Sequence, residues 1–369
     1  MRIERVAAYK MQLPLVEGRY AWSEDKAIAS YDTTVLRLDT DEGTTGWAEV
    51  CPLGPVYLPA YAAGARTGIA ELAPTVLGQD PLEIGRLGSL MDHALKGHPY
   101  VKSPFDIACW DILGKVSGLP VCTLLGGRFG ADFPVYRSIS QDTPERMAER
   151  IRRHRSEEGI RAWQLKVGGP DTDLDIERIR AAREAAPDDL IVADANTGWL
   201  SHQALKVANA ISDLNVAIEQ PCRSYEECLV VRRNTSLPFV LDECIDSVDT
   251  LVRAHSDGAM DVVNIKMGKV GGLSKAKQLC DLCVSLGIAL TIEDMPGGDI
   301  TGATILHLAH STPERYRFSV TSSYLKVAVS IAAGGPQVVN GRTAANQGPG
   351  LGVTPRMEVL GEPFFELHA

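Results

Sequence analysis

The chain has 369 residues, enough for a large core and for a main domain beside a smaller one. Hydrophobic residues make up 45% and charged residues 23%, and the formal net charge of −10 argues against nucleic acid or an anionic membrane surface as partner. No window approaches the ~18 consecutive apolar residues of a membrane helix, and the segment from Met1 to Val6 carries no apolar signal-peptide core, so a cytoplasmic protein is expected. Eight cysteines without a framework spacing read as thiols of a reducing compartment. Cys280 and Cys283 have redox or zinc spacing, but they fall in a helical pattern with no second ligand pair.

Residues 6–13, 33–39 and 44–50 alternate like the strands of a meander, with Asp41-Glu42-Gly43 as the last turn. Helical patterns over 60–77, 81–95 and 103–117 follow, the last stopped by Gly118 and Pro120. These predict an N-terminal α+β capping domain over 1–125. Beyond it, strand patterns over 135–140, 162–167, 190–196, 216–220, 239–243, 262–267, 289–294 and 318–322 alternate with helical ones. Repeated βα units imply a parallel sheet, and eight of them imply an α/β fold, a (β/α)8-type barrel over 126–333. The glycine- and proline-rich segment 334–369 is expected to pack back on the capping domain and complete it.

Active groups of such barrels come from the C-terminal ends of the strands. There the sequence places Lys166, Asp194, Glu219, Asp242, Lys266, Glu293 and Asp294. One strand-end carboxylate is as well explained by a helix N-cap. Three on consecutive strands, bracketed by lysines on strands two and six, are not, because their repulsion is tolerable only around a cation. The oxygen-only set selects Mg²⁺, or Mn²⁺, over zinc. Strands two and six lie on opposite sides of an eight-strand ring, so Lys166 and Lys266 can reach one substrate from opposite faces. A lysine base beside a divalent cation that stabilises carboxylate charge is suited to α-proton abstraction from a carboxylate.

Along its whole length the chain resembles the enolase superfamily, in its mandelate racemase / muconate lactonizing enzyme branch. The resemblance rests on the stretch from Ser103 to Lys115, on Asp194-Ala195-Asn196, Glu219-Gln220-Pro221 and Asp242-Glu243, and on the stretch from Asn264 to Gly272. It implies Mg²⁺ on Asp194, Glu219 and Asp242, acid and base roles for Lys166 and Lys266, and a cap over the barrel mouth. Two further groups of residues are similar to members that dehydrate hydroxyprolines. One runs from Gln164 to Gly169 and from Gly298 to Thr301; the other comprises the loops around 17–26 and 51–61. Members of the lysine-lysine branch often carry Lys-x-Lys on strand two, where this chain has Gln164, and Pro296 replaces a tryptophan.

The expected activity is therefore a Mg²⁺-dependent dehydration of a small hydroxylated amino acid. An epimerase or racemase of proline derivatives or betaines is the alternative, and a non-catalytic binding protein of the same fold is the alternative of another class. Gln164, Asn196, Glu293, Asp294, Tyr20, Trp22 and Tyr57 are the expected substrate contacts, with Tyr61 a further aromatic for a ring cation. Glu293 and Asp294 read equally as loop caps or partners of Lys266, and the aromatics as packing. A homo-oligomer is expected, though no decisive interface pattern is visible.

Overall fold

A computed structural model describes all 369 residues. Four antiparallel strands open the architecture, ordered Phe365–His368, Ile3–Pro14, Ser30–Thr40 and Thr45–Val50. The chain's last strand thus lies on the edge of its first, pairing Val6 with Leu367 and Ala8 with Phe365. Helices Ala62–Val76, Ile84–Ala94 and Pro99–Ser117 cover this sheet. The third begins earlier than the sequence suggested. Pro99 takes its first position after a left-handed His98, and Pro104 falls inside it.

Eight parallel strands follow: Arg137–Ile139, Ala162–Lys166, Leu190–Asp194, Ala217–Glu219, Phe239–Leu241, Val262–Lys266, Ala289–Glu293 and Arg317–Val320. They hydrogen-bond in sequence order, and a parallel bridge between Tyr136 and Thr321 joins strand one to strand eight. The expected (β/α)8-type barrel is the structure found. No helix is long and apolar enough to cross a membrane.

Side chains alternate along a strand, so residues two apart share a face. Val192, Ala217, Val240 and Val262 form a small apolar cluster, distinct from the 97-residue main core, with Ala289 and Phe318 packed against it. Two residues further along four of these strands stand Asp194, Glu219, Asp242 and Asn264. The barrel interior therefore has an apolar floor and a polar layer above it. Register keeps that layer level: Asp194 is the Cα partner of both Lys166 and Glu219, and Lys266 is the partner of Glu293.

Cap and barrel are joined by buried carboxylates. Asp106, on helix Pro99–Ser117, accepts hydrogen bonds from Ser274 N (2.9 Å) and Oγ (2.5 Å) at the start of helix Leu273–Leu286. Glu49, at the end of the cap sheet, accepts from Gly298 N (2.8 Å) and Thr301 N (3.0 Å) at the start of helix Asp299–His310. Each carboxylate supplies acceptors to a helix N-terminus, where backbone donors have no partner of their own.

Candidate active site

A cavity opens between cap and barrel mouth. Tyr20, Trp22, Tyr57, Gln164, Lys166, Asn196, Lys266, Glu293 and Asp294 all line it. Asp194, Glu219 and Asp242 lie in the layer beneath, each at most 1% exposed. Tyr61 is the exception among the aromatics singled out from sequence. It is 48% exposed at the N-cap of helix Ala62–Val76, where the chain turns away from the mouth.

Lys166 Nζ pairs with Asp194 Oδ2, and Lys266 Nζ pairs with Asp242 Oδ2 and, at 3.1 Å, with Glu293 Oε1. Lys269 Nζ donates to Asp242 Oδ1 at 2.9 Å and to its backbone carbonyl at 2.6 Å. Sequence reasoning did not single out Lys269 as a site residue. Its position three residues after Lys266, one helical turn away, was the available signal. Burial works to lower the Lys166 pKa, but the Asp194 charge overrides it and holds the group above the ordinary lysine value. For Lys266 the order is the same, with Asp242 and Glu293 outweighing burial. Burial would also raise Asp242, yet Lys266 and Lys269 keep it well below the usual carboxylate range.

Glu219 has no ammonium partner. Gln164 Nε2 donates to Oε2 (2.9 Å) and Asn264 Nδ2 to Oε1 (2.8 Å). Burial first, then the charges of Asp194, Asp242 and Glu293, push its pKa well above the usual range. Oxygens of Glu219, Asp242 and Glu293 lie within 4.8 Å of one another. Glu293, expected as a substrate contact, thus belongs to the acidic layer. It also accepts from Tyr136 Oη and from Asn264 Nδ2 (2.5 Å). Asp194, expected in the triad, is turned towards Lys166. Asp294 accepts from Gly268 N (2.7 Å) and Met295 N (2.8 Å), so one of its oxygens serves as a loop cap; burial raises its pKa to about 7.

Asn196, Thr197 and Gln220 adopt positive φ (40°, 67° and 33°) just after the Asp194 and Glu219 strands. Such conformations cost roughly 1–3 kcal/mol each and concentrate at functional sites. Gln220 is held by donating to Cys222 O (3.1 Å) and accepting from Asp242 N (2.9 Å), which ties strand four to strand five. Asn196 Nδ2 donates to Glu243 Oε1 (3.0 Å), while Asn196 Oδ1, Glu243 Oε2 and Asn264 Oδ1 are buried without partners. Unsatisfied oxygens around a carboxylate layer fit a hard divalent cation, since burial of such groups without compensation is costly.

Fold and site together define a barrel enzyme of carboxylate α-proton chemistry. Residues 146–359 match the family model described as enolase C-terminal domain-like, and residues 26–126 match the mandelate racemase / muconate lactonizing enzyme N-terminal domain. The chain belongs to the mandelate racemase / muconate lactonizing enzyme family of the enolase superfamily. It is 53% identical to cis-3-hydroxy-L-proline dehydratase of Roseibium aggregatum, covering 98% of this chain and 99% of that one. Identity to the N-succinyl-L-Arg/Lys racemase of Bacillus cereus is 31%, covering 84% of this chain and 85% of that protein. A mandelate racemase/muconate lactonizing enzyme structure from Roseovarius nubinhibens superposes with TM-score 0.95 at 40% identity, covering 100% of this chain and 99% of that chain. Another from the same organism, complexed with magnesium, gives 0.96 at 34% identity over 100% of both.

Proposed function

We propose that this enzyme is a Mg²⁺-dependent dehydratase that converts cis-3-hydroxy-L-proline to 1-pyrroline-2-carboxylate. The observation that carries the reading is the pair Lys166 and Lys266, on strands two and six, lining one cavity above a shared carboxylate layer. Asp194, Glu219 and Asp242 would hold the cation, with Glu293 beside them. A bound Mg²⁺ supplies stabilisation of the negative charge that builds on the substrate carboxylate. Mn²⁺ would suit the same oxygen donors.

The lysines' pKa values are held up by Asp194, Asp242 and Glu293 against burial. Carboxylates committed to a cation pull less on them, and burial then favours the neutral amine a base requires. One lysine takes the α-proton. The C3–O bond breaks, and the other lysine, still an ammonium, gives its proton to the leaving hydroxyl so that water departs. The resulting enamine tautomerises to the cyclic imine. Tyr20, Trp22 and Tyr57 wall the cavity, the Tyr20 and Trp22 rings stacked 6.0 Å apart. The same reading makes the protein a cytoplasmic homo-oligomer of hydroxyproline breakdown. Its eight unpaired cysteines support a reducing compartment.

The second reading, epimerisation of a proline derivative by the same two lysines, is favoured by the similarity to a racemase. Incubation with Mg²⁺ and a panel of proline derivatives in D₂O, followed by mass spectrometry, separates the two. Water loss from cis-3-hydroxy-L-proline is the expected result. Clean α-deuteration of a betaine without water loss from any hydroxyproline would establish the epimerase instead.

A further inference from the structure

Lys326 is a lysine of the cavity that none of the preceding chemistry uses. It lies six residues past strand eight and lines the cavity with Ser138, Thr321 and Ser323. Its backbone is fixed: Lys326 O accepts from Val16 N (2.8 Å), and the next residue, Val327, bridges to Leu15 of the cap loop. The ammonium sits 3.5 Å from the Tyr20 ring centroid and donates to Ser138 Oγ. Lys166, Lys266 and Lys269 each have a carboxylate partner. Lys326 has none within ion-pair distance.

Burial and the cations around it outweigh the attraction of Glu293 and Glu17. The Ser138–Lys326 pair also borders an outer cavity lined by Glu17, Arg19, Arg137, Arg150 and His154. Burial, together with the charges of Lys166 and Arg137, pushes its pKa well below the ordinary lysine value. A buried nitrogen placed among cations, with only a serine oxygen to accept from it, lacks one acceptor.

The substrate class supplies that acceptor. A hydroxyproline carries three polar groups. Its carboxylate is matched to the cation layer and its ring ammonium to the acidic wall, while its hydroxyl, which one catalytic lysine protonates, keeps a second lone pair for another donor. We propose that Lys326 is a substrate-recognition residue whose Nζ, shared with Ser138, donates a hydrogen bond to the ring hydroxyl. The inference rests on the hydroxyproline reading above. A hydroxyl oxygen can accept from an ammonium or, more weakly, from a neutral amine, so the contact forms in either charge state of Lys326.

The test compares cis-3-hydroxy-L-proline with L-proline, which lacks the hydroxyl, on the Mg²⁺-loaded enzyme. In Lys326→Met the KM for cis-3-hydroxy-L-proline should rise roughly 3- to 10-fold, the range of a hydrogen bond between neutral groups. The inhibition constant of L-proline in the same assay should stay within about twofold, a split that loss of packing would not produce. An unchanged KM, or an equal rise in both constants, overturns the inference while leaving the dehydratase reading intact. If the methionine variant fails to fold, Lys326→Gln, which keeps an N–H donor on a shorter arm, should show the same split at smaller size. A wild-type enzyme that turns over no hydroxyproline removes the functional reading and this inference with it.

Discussion

Glu219 is the carboxylate of the acidic layer with only amide donors for company, and it makes the cation prediction specific. Glu219→Gln replaces a carboxyl whose charged form is disfavoured by burial and by Asp194, Asp242 and Glu293 until a cation is bound. In metal-free protein the variant should melt close to the wild-type temperature, because the amide stands in for the neutral carboxyl that burial and the neighbouring acids favour. It should also lose at least about a thousandfold in kcat and fail to gain thermal stability from Mg²⁺, a gain that mass action gives the wild type. A variant still stabilised by Mg²⁺ as the wild type is would remove Glu219 from the ligand set. The lysines divide by role. Alanine at the base should abolish α-deuterium exchange, while alanine at the other lysine should spare part of the exchange and block water loss. Near wild-type dehydration in both Lys166→Ala and Lys266→Ala would show that neither carries the reaction. Most of this layer was legible in the sequence, because each carboxylate ends an apolar run at an inward-facing position. The part Glu293 plays was harder to read. Glu293 and Asp294 are adjacent acids at one strand end, and only the pleat decides that the first faces the layer and the second caps a loop.

At the scale of elements, the loop that carries Tyr20 and Trp22 is tied to the barrel by backbone contacts and by one titratable side chain, Glu17. Glu17 contacts Arg153 Nη2 (2.6 Å) and His154 Nε2 (3.3 Å) on helix Pro144–Glu157, and His154 Nδ1 contacts Glu158 Oε1 (2.7 Å). The hydrogen bond with His154, helped by the Arg150 charge and opposed by burial, lowers Glu17 to about 2. Burial would lower His154, but Glu158 and Glu17 raise it above its ordinary 6.5. A depressed carboxyl stabilises above its unfolded value and loses that contribution as pH falls through the folded one. A raised imidazole stabilises below its unfolded value and loses it as pH rises through the folded one. The latch is therefore fully engaged between pH 4.5 and 6.5, the two ordinary values, and loosens on the alkaline side. Hydrogen exchange in peptides spanning 15–28, corrected for intrinsic rate, should lose protection as pH rises above that window. The change should be absent in Glu17→Gln. Equal protection from pH 6 to pH 9 in the wild type would contradict the latch. Sequence reasoning found this loop through its aromatics but not its short hairpin, Tyr20–Ala21 with Ala27–Ile28, because two-residue strands leave no periodicity to read. Lys326 escaped for the same reason, since it follows the last barrel strand in a stretch without pattern.

The whole molecule is a barrel whose polar layer faces a cap, and the barrel was the most legible part of the chain. Parallel strands buried on both faces give short β-branched runs, and eight of them separated by helical patterns admit few other architectures. Less legible were the contacts that seat the cap. Asp106 and Asp111 lie in the stretch that marked the family resemblance, yet their carboxylates face backbone donors: Ser274 for Asp106, Trp47 and Leu351 for Asp111. Such pairings join residues far apart in sequence, so no local pattern announces them. The seated cap and the closed ring together enclose a cavity lined by Lys166 and Lys266, from strands two and six. This geometry carries the central claim, because the two lysines can serve a proton and a leaving group only on opposite faces of the substrate. In cis-3-hydroxy-L-proline the hydroxyl and carboxylate share a ring face, so the α-hydrogen lies opposite the hydroxyl. In the trans isomer the α-hydrogen and hydroxyl share a face, and one lysine would have to act on both. The measurement is kcat/KM for the two isomers under identical Mg²⁺. We predict that the cis isomer is dehydrated at least about 100-fold faster, the order expected when one positioned general acid or base is lost; equal turnover of the two would contradict the account.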